Sequence, residues 1–212
     1  MALSIAVIAQ LVTGASAADR TVVLAFGDSL TQGYGLSAEQ GFVAQMQAWL
    51  QAQGVDIRLI NGGVSGDTTA GGAARIAWSL SGEVDAVIVE LGGNDMLQGL
   101  DPQQARANLA AILKEISARG LPVLLVGLPA PGNFGAEFQA GYRALYPALA
   151  GQYGALYYPD FLAGLGANQD RETALRQLMQ SDGIHPNAAG VARIVEAMGP
   201  SVLELVEAAR ER

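Results

Sequence analysis

The residues best suited to chemistry lie in a short segment near the C-terminus, residues 181–187 (SDGIHPN). His185 is the only histidine of the chain, and Asp182 precedes it by three residues with a glycine between them. An imidazole can remove the proton of a serine hydroxyl near neutral pH when a carboxylate orients it. Taken alone, a single histidine is more often structural than catalytic, and Asp182 has the alternative role of a turn residue. Other parts of the chain must show whether these two residues are catalytic or structural.

Ser29 is the candidate nucleophile. Residues 21–26 (TVVLAF) form a short apolar run typical of a β-strand, and the run stops at residues 27–31 (GDSLT). A strand that enters a turn at this point places Ser29 at the carboxyl end of a strand. In open α/β sheets, ligands bind in the crevice at these ends.

Two further strand ends are glycine-rich in the same way. The run at 55–60 ends at residues 61–68 (NGGVSGDT), and the run at 84–91 ends at residues 92–95 (GGND). Each is followed by a stretch compatible with a helix, so we expect all three loops at one edge of one sheet. Glycine lets backbone N–H groups approach a ligand, and the side chain of Asn94 can add an amide donor.

The aspartates of these loops have a structural alternative, which we favour over direct chemistry. Asp28, Asp67 and Asp95 each follow a glycine or an asparagine, where aspartate often caps a helix or ties a turn. Thr68 and Thr69 have the character of helix-start residues.

The rest of the chain alternates helix and strand patterns without repeats. This alternation predicts a parallel sheet with helices on both faces, a three-layer α/β/α domain. A break in the last helix is expected at Gly199-Pro200. The predicted helices span 38–53, 70–80, 102–120, the later part of 134–150, and 188–210, and further strands span 122–128 and 155–158.

Four sequence blocks resemble, in order and spacing, the signature blocks of the SGNH (GDSL-type) hydrolases. They are residues 27–30 (GDSL), 65–68 (SGDT), 92–95 (GGND) and 182–186 (DGIHP). The chain looks most like the bacterial periplasmic thioesterase/lysophospholipase and arylesterase branch, and the resemblance runs from about residue 21 to the C-terminus. It implies a flavodoxin-like fold with a central five-stranded parallel sheet.

The resemblance also implies roles for individual residues. Ser29 matches the nucleophile, His185 the general base and acid, and Asp182 the residue that orients the imidazole. The backbone N–H of Gly66, the side-chain amide of Asn94 and the N–H of Ser29 match the oxyanion hole. The implied reaction is two-step acyl transfer from an ester or thioester.

Apolar residues near these blocks are candidates for an acyl-binding groove. Met96, Leu97 and Leu100 follow the Asn94 loop, and Phe134 lies in a loop at 129–134 after a later strand. An equally weighted alternative is that these residues only cap the core.

Composition narrows the class of protein. The chain has 212 residues, half of them hydrophobic, which suits one domain with a single buried sheet. Its net charge of −8 argues against nucleic acid and against anionic membranes as partners. The chain has no cysteine and one histidine, so we expect no metal and no cofactor. The expected partner is a small acyl ester or thioester, bound by a monomer.

The first residues have the pattern of a secretory signal. Residues 1–12 are almost wholly apolar, and residues 15–17 (ASA) form a small-residue cleavage site. Cleavage after Ala17 would leave a single hydrolase domain at 18–212, periplasmic or secreted and without stable membrane insertion. No Lys or Arg precedes Arg20, and an uncleaved N-terminal helix or anchor is the alternative.

Three classes of function fit these patterns. The leading class is a serine hydrolase of acyl substrates, acting as an esterase, arylesterase, acyl-CoA thioesterase or lysophospholipase. The second is a carbohydrate O-deacetylase of the same superfamily, which should carry a polar or aromatic sugar platform beside the serine. A non-enzymatic binding module is disfavoured because all the chemical positions are filled.

Overall fold

Five parallel strands form the central sheet in the computed structural model, which describes residues 20–166 and 171–212. Their spatial order is β2-β1-β3-β4-β5, the doubly wound order of flavodoxin-like sheets, so the predicted fold class is confirmed. Every pairing is parallel, and all carboxyl ends therefore open on one edge. The strands are β1 Thr21–Gly27, β2 Ile57–Gly63, β3 Ala86–Glu90, β4 Val123–Val126 and β5 Leu156–Tyr158.

Helices cover both faces of the sheet. On one side α3, α5 and α6 pack in series, and on the other α9 packs against α2, α7 and α8. Two short 3-10 turns, Ala38–Gln40 and Gly132–Phe134, lie in connecting loops. The helices are α1 Ser29–Gln32, α2 Phe42–Ala52, α3 Thr69–Ser79, α4 Gly93–Leu97, α5 Pro102–Ala118, α6 Ala136–Tyr153, α7 Ala163–Gly166, α8 Arg171–Leu178 and α9 Ala188–Arg210.

The core lies between the sheet and these two helical layers. All residues of β1, β3 and β4 are buried, whereas β5 is half-buried at the edge. Strands covered on both faces are continuously apolar, which is why these runs were recognisable in the sequence. The rigid central strands hold the loops at their carboxyl ends.

Several predicted elements differ from the structure by a few residues at their ends, and for two of them the local backbone gives the reason. β2 continues through residues 61–63, which pair with residues 25–27 of β1. The loop therefore starts later than predicted, and Gly63 is needed because a Cβ there would lie 2.3 Å from the backbone N of Gln32. The helix predicted at 38–53 is interrupted at Gly41, whose extended backbone precedes α2.

The expected break at Gly199-Pro200 is wrong, because α9 runs through both residues. An internal proline removes one helical hydrogen bond. Packing offsets this cost. The Trp49 indole packs so closely on Gly199 that a Cβ there would lie 2.5 Å from it, and Met198 and Val202 are fully buried. These tertiary contacts explain why α9 is continuous through Gly199 and Pro200.

The predicted signal peptide, residues 1–17, lies outside the described residues. Within the described ranges, none of the helices combines the length and the apolar character needed to cross a bilayer.

Candidate active site

Ser29 lies at the carboxyl end of β1, the strand second from one edge of the sheet. It is the first residue of α1, and Asp28 caps this helix by accepting a hydrogen bond from the N–H of Leu30 at 3.0 Å. α1 ends after one turn at Gly33, whose left-handed backbone (φ 86°) reverses the chain. The short helix holds the serine hydroxyl at the edge where the sheet opens.

The imidazole of His185 reaches this hydroxyl from the loop before α9. Its Nε2 lies 2.9 Å from Ser29 Oγ, and its Nδ1 lies 2.7 Å from Asp182 Oδ2. An ionised carboxylate can only accept, so Nδ1 carries the hydrogen and the lone pair of Nε2 faces the serine. Ser29, His185 and Asp182 are therefore joined in one hydrogen-bonded series.

The hydrogen bonds around Asp182 favour its ionised form. Its Oδ1 accepts hydrogen bonds from the backbone N–H groups of Ile184 (2.9 Å) and His185 (3.0 Å). The hydrogen bond from the His185 side chain and these backbone donors lower the pKa of Asp182 to about 2. The carboxylate is therefore available to orient the imidazole throughout the neutral range.

A contact from the loop after α1 supports the histidine. The Tyr34 ring lies 4.7 Å from the imidazole, between centroids, with the planes tilted by 40°. The side-chain amide of Gln180 donates to the carbonyl oxygens of Tyr34 (2.7 Å) and Pro186 (3.0 Å), which joins the two loops. Sequence analysis missed Tyr34, although it lies in a Gly-Tyr-Gly turn five residues after the serine.

The predicted hydrogen-bond donors converge on the same place. Ser29, Gly66 and Asn94 line one cleft. Among the described residues, the backbone N–H groups of Ser29 and Gly66 have no acceptor. The Asn94 Nδ2 donates to Asp28 Oδ2 (3.1 Å) and to the Asp67 carbonyl oxygen (2.9 Å). An oxyanion would therefore have to share one of the amide hydrogens of Asn94.

Beneath the serine lies a polar layer, which we call the floor: the buried side chains of Asp28, Thr31 and Glu90 and the partly buried side chain of Asn94. Asp28, Thr31 and Glu90 are at most 2% exposed. Glu90 Oε2 accepts from the Thr31 hydroxyl at 2.8 Å, and its Oε1 has no partner among the described residues. Burial raises the pKa of Asp28 to about 6 and raises the pKa of Glu90 well above its usual range.

Arg75 of α3 fastens the strand ends around the floor. Its guanidinium donates to the carbonyl oxygens of Gly27 and Gly62 at 2.9 Å each and pairs with Asp67 at 2.7 Å. It also stacks 3.9 Å above the Phe26 ring. Nothing in the local sequence pattern marks this residue, because its partners become neighbours only in the folded sheet.

All three loop aspartates make structural contacts, although only Asp28 caps its own helix as expected. Asp28 caps α1, and Asp67 pairs with Arg75. Asp95 is buried and accepts from both the N–H (2.8 Å) and the hydroxyl (2.5 Å) of Thr69 at the start of α3. Within residues 20–166 and 171–212, no cluster of three or more His, Cys, Asp or Glu side chains is arranged to hold a metal ion.

The cleft in front of Ser29 has a volume of about 440 Å³. Three of its side chains, which we call the rim, are large, apolar and about half exposed: Tyr34 (51%), Leu97 (56%) and Ile184 (47%). The wall between rim and floor is also mainly apolar. Its lining includes Leu30, Met96, Leu128, Pro129, Pro131 and Leu162.

The four predicted groove residues divide into two pairs. Met96 and Leu97 line the cleft, whereas Leu100 and Phe134 are not among the lining residues. Phe134 packs against the ring of Phe138 at 4.9 Å, and its ring covers Gly99. Sequence proximity to Asn94 thus identified only the residues within α4.

Comparisons with known proteins agree with this geometry. The GDSL-like Lipase/Acylhydrolase family matches residues 25–193. Esterase TesA of Pseudomonas aeruginosa is 39% identical over 92% of this chain and 94% of its own length. Thioesterase 1/protease 1/lysophospholipase L1 of Escherichia coli is 35% identical over 91% of this chain and 87% of its own length. The crystal structure of AlinE4, an SGNH-hydrolase family esterase, superposes with a TM-score of 0.71 at 42% identity, covering 88% of this chain and 96% of AlinE4.

Proposed function

The chain belongs to the GDSL-like lipase/acylhydrolase family, and from this we propose that it hydrolyses carboxylic ester or thioester bonds of acyl substrates through an acyl-enzyme on Ser29. One observation carries the proposal: the His185 imidazole lies within hydrogen-bond distance of both the Ser29 hydroxyl (2.9 Å) and the Asp182 carboxylate (2.7 Å). The relatives named above are esterases and a thioesterase/lysophospholipase. These three residues form the proposed catalytic triad.

The first half-reaction forms the acyl-enzyme. The Ser29 oxygen attacks the carbonyl carbon while its proton passes to His185 Nε2, and Asp182 stabilises the resulting imidazolium. The carbonyl electrons move onto the oxygen, which receives hydrogen bonds from the N–H groups of Ser29 and Gly66 and from the Asn94 amide. The C–O or C–S bond to the leaving group then breaks, and the leaving group takes the proton from Nε2.

The second half-reaction returns the free enzyme. Water gives a proton to His185 Nε2 as it attacks the acyl carbon, the same donors hold the oxyanion, and Ser29 leaves with the proton restored. No other group is required to balance protons or electrons.

The walls of the cleft favour an acyl chain over a sugar. Leu30, Met96, Leu128 and the rim present mainly hydrocarbon to the space before Ser29. Burial of hydrocarbon stabilises a bound acyl chain by about 0.8 kcal/mol for each buried CH₂ group. A carbohydrate would need several polar partners, whereas Tyr34 supplies only a single aromatic surface.

A substrate panel tests the proposal directly. Purified protein is assayed with p-nitrophenyl esters from short to long chains, an acyl-CoA, a lysophospholipid and an acetylated sugar, with Ser29→Ala as the matched control. We expect hydrolysis of acyl esters or the acyl-CoA that disappears in the control. Hydrolysis of the acetylated sugar alone would instead support the deacetylase class, and hydrolysis that persists in Ser29→Ala would contradict the proposal.

The proposal includes export of a domain spanning 18–212. The apolar N-terminal residues and the Ala15-Ser16-Ala17 site support cleavage after Ala17. Expression of the full chain in a Gram-negative host, followed by mass spectrometry of the periplasmic fraction, should find a mature N-terminus at Ala18. Recovery of the uncleaved chain in the membrane fraction would contradict cleavage.

A further inference from the structure

Asp28 connects two parts of the site that come from different strands. Its Oδ1 accepts from the N–H of Leu30 in the turn that carries Ser29, and its Oδ2 accepts from the Nδ2 of Asn94 after β3. The side chain is almost wholly buried, so water does not compete for either bond. A single carboxylate thus fixes the distance between the nucleophile turn and the Asn94 amide.

The second consequence of this contact is the orientation of the amide. An asparagine side chain can turn by 180° and exchange its nitrogen for its oxygen, unless the neighbours decide between them. Here both neighbours, Asp28 Oδ2 and the Asp67 carbonyl oxygen, are acceptors. The nitrogen must therefore face them, so any hydrogen bond from Asn94 to an oxyanion shares one of these two amide hydrogens.

Glu90 lies on the other side of Asp28 and is used by no step of the proposed mechanism. Its only hydrogen-bond donor among the described side chains is the Thr31 hydroxyl, and its Oε1 has no partner there. A buried carboxylate with an unpaired oxygen is costly, so the neutral acid is favoured. The negative charge of the Asp28–Glu90 pair then resides on Asp28.

We propose that Asp28 is a positioning residue: as a carboxylate it fixes the orientation of the Asn94 amide, so that the nitrogen rather than the oxygen stays beside the Ser29 turn and can share a hydrogen with the oxyanion, while the neighbouring Glu90 stays neutral. This inference rests on the proposed hydrolase function. It assigns a task in the reaction to the aspartate that also caps α1.

The charge on Asp28 depends on the groups around it. Burial raises its pKa to about 6, the His185 and Asn94 side chains act to lower it, and Asp67 acts to raise it. Because a raised pKa means that the proton is taken up earlier on acidification, Asp28 is ionised above about pH 6 and neutral below it. Charged or titratable groups near it are His185 from the loop before α9, Asp67 from the loop before α3, Glu90 of β3 and Tyr146 of α6, and Arg75 of α3 contacts the neighbouring Gly27 carbonyl.

The first test is Asp28→Asn, with Asp85→Asn as the matched control. Asp85 also accepts from a backbone N–H, that of Val22 at 2.8 Å, but at the opposite edge of the sheet. We expect kcat of Asp28→Asn to fall by about ten- to a hundredfold with KM within about twofold, since one oxyanion donor is worth about 10²–10³ in kcat. Asp85→Asn should keep the wild-type kcat. A kcat within twofold of wild type in Asp28→Asn would overturn the proposal.

A double-mutant cycle separates positioning from a general structural effect. If Asp28 acts through Asn94, the double variant Asp28→Asn/Asn94→Ala should have a kcat within about twofold of Asn94→Ala alone. A further tenfold loss in the double variant would show that Asp28 acts elsewhere and would overturn the proposal.

The pH dependence of the Asp28→Asn effect gives a second readout. Protonation of Asp28 removes the charge that the variant lacks, so the ratio of the wild-type kcat to the kcat of Asp28→Asn should decrease as the pH is lowered through about 6. Taking this ratio cancels the titrations that the two proteins share. A ratio that stays constant across this range would overturn the assignment of the charge to Asp28.

An NMR titration distinguishes failure of this inference from failure of the proposed function. The side-chain amide signals of Asn94, identified by their loss in Asn94→Ala, should shift with a midpoint near pH 6 in Ser29→Ala, which cannot turn over substrate. The shift should be absent in Ser29→Ala/Asp28→Asn. An unchanged titration in that double variant would overturn the inference, whatever substrate the wild type hydrolyses.

Discussion

The floor and the rim of the cleft are built in opposite ways. The floor is polar and mostly buried, and its side chains Asp28, Thr31, Glu90 and Asn94 are linked to one another or to the backbone by hydrogen bonds. The rim is apolar and about half exposed, and its side chains Leu97 and Ile184 have no polar group to fix them. Arg75 reinforces only the floor side.

This difference indicates a division of tasks. Atoms that must meet a developing charge need fixed positions, which buried hydrogen bonds provide. Side chains that only cover hydrocarbon tolerate adjustment, because the hydrophobic effect is not directional. Substitutions in the two regions should therefore differ in kind: those beside the reacting atoms change kcat, and those at the rim change preference among substrates.

The largest effect is expected for Ser29→Ala and His185→Ala. Each removes a member of the proposed triad, and kcat for a p-nitrophenyl ester should fall by about 10³-fold or more. Circular dichroism and the melting temperature should stay near the wild-type values, because neither side chain belongs to the core. Full activity in either variant would contradict the assignment of both.

The next effect is expected for Asn94→Ala, which should lower kcat by about 10²–10³-fold. KM should change little, since the lost hydrogen bond forms with the transition state rather than with the substrate. Steady-state kinetics at saturating ester separate the two parameters. A rise in KM at constant kcat would instead place Asn94 in ground-state binding.

A smaller effect is expected for Tyr34, where the rim meets the imidazole. Tyr34→Leu removes the ring face beside the charged form of His185, an interaction worth about 1 kcal/mol, so kcat should fall about fivefold. Tyr34→Phe keeps the ring and should stay within about twofold. Equal losses in the two variants would show that the hydroxyl, rather than the ring, is what matters.

The smallest effect is a change of chain-length preference. Met96→Ala enlarges the cleft, so the preference among p-nitrophenyl esters should shift towards longer acyl chains. The ratio of activity on long esters to activity on short esters should rise by a few fold. Phe134→Ala is the matched control, because its ring packs on Phe138 outside the lining. A shift in Phe134→Ala as large as that in Met96→Ala would extend the groove to the 129–134 loop.

The sequence predicted the parts of the molecule that depend on local pattern and on topology. Apolar runs followed by glycine-rich turns identified the central strands, and parallel pairing brings their carboxyl ends together whatever the details of packing. This is why Ser29, Gly66 and Asn94 could be expected in one place. His185, 156 residues after the serine, follows no strand, and its place at the same edge was implied by the family resemblance.

Features that depend on packing between distant elements were not predictable in this way. Glu90 ends an apolar strand and resembles an ordinary strand terminus until Thr31 is placed against it. Pro200 resembles a helix breaker unless the buried neighbours that hold α9 together are known. Tyr34 was overlooked because only the folded loops bring its ring against the imidazole. Ile184, by contrast, could have been named from its position directly before His185.

The distance along the chain between Ser29 and His185 has a practical consequence for work with this protein. The hydroxyl follows β1, while the imidazole lies in the loop before α9, the helix that packs against α2 and α7. Turnover of an ester therefore reports that the β1 end and the α9 end of the described chain have come together. During refolding, ester turnover therefore measures this long-range contact, whereas the helix content from circular dichroism does not.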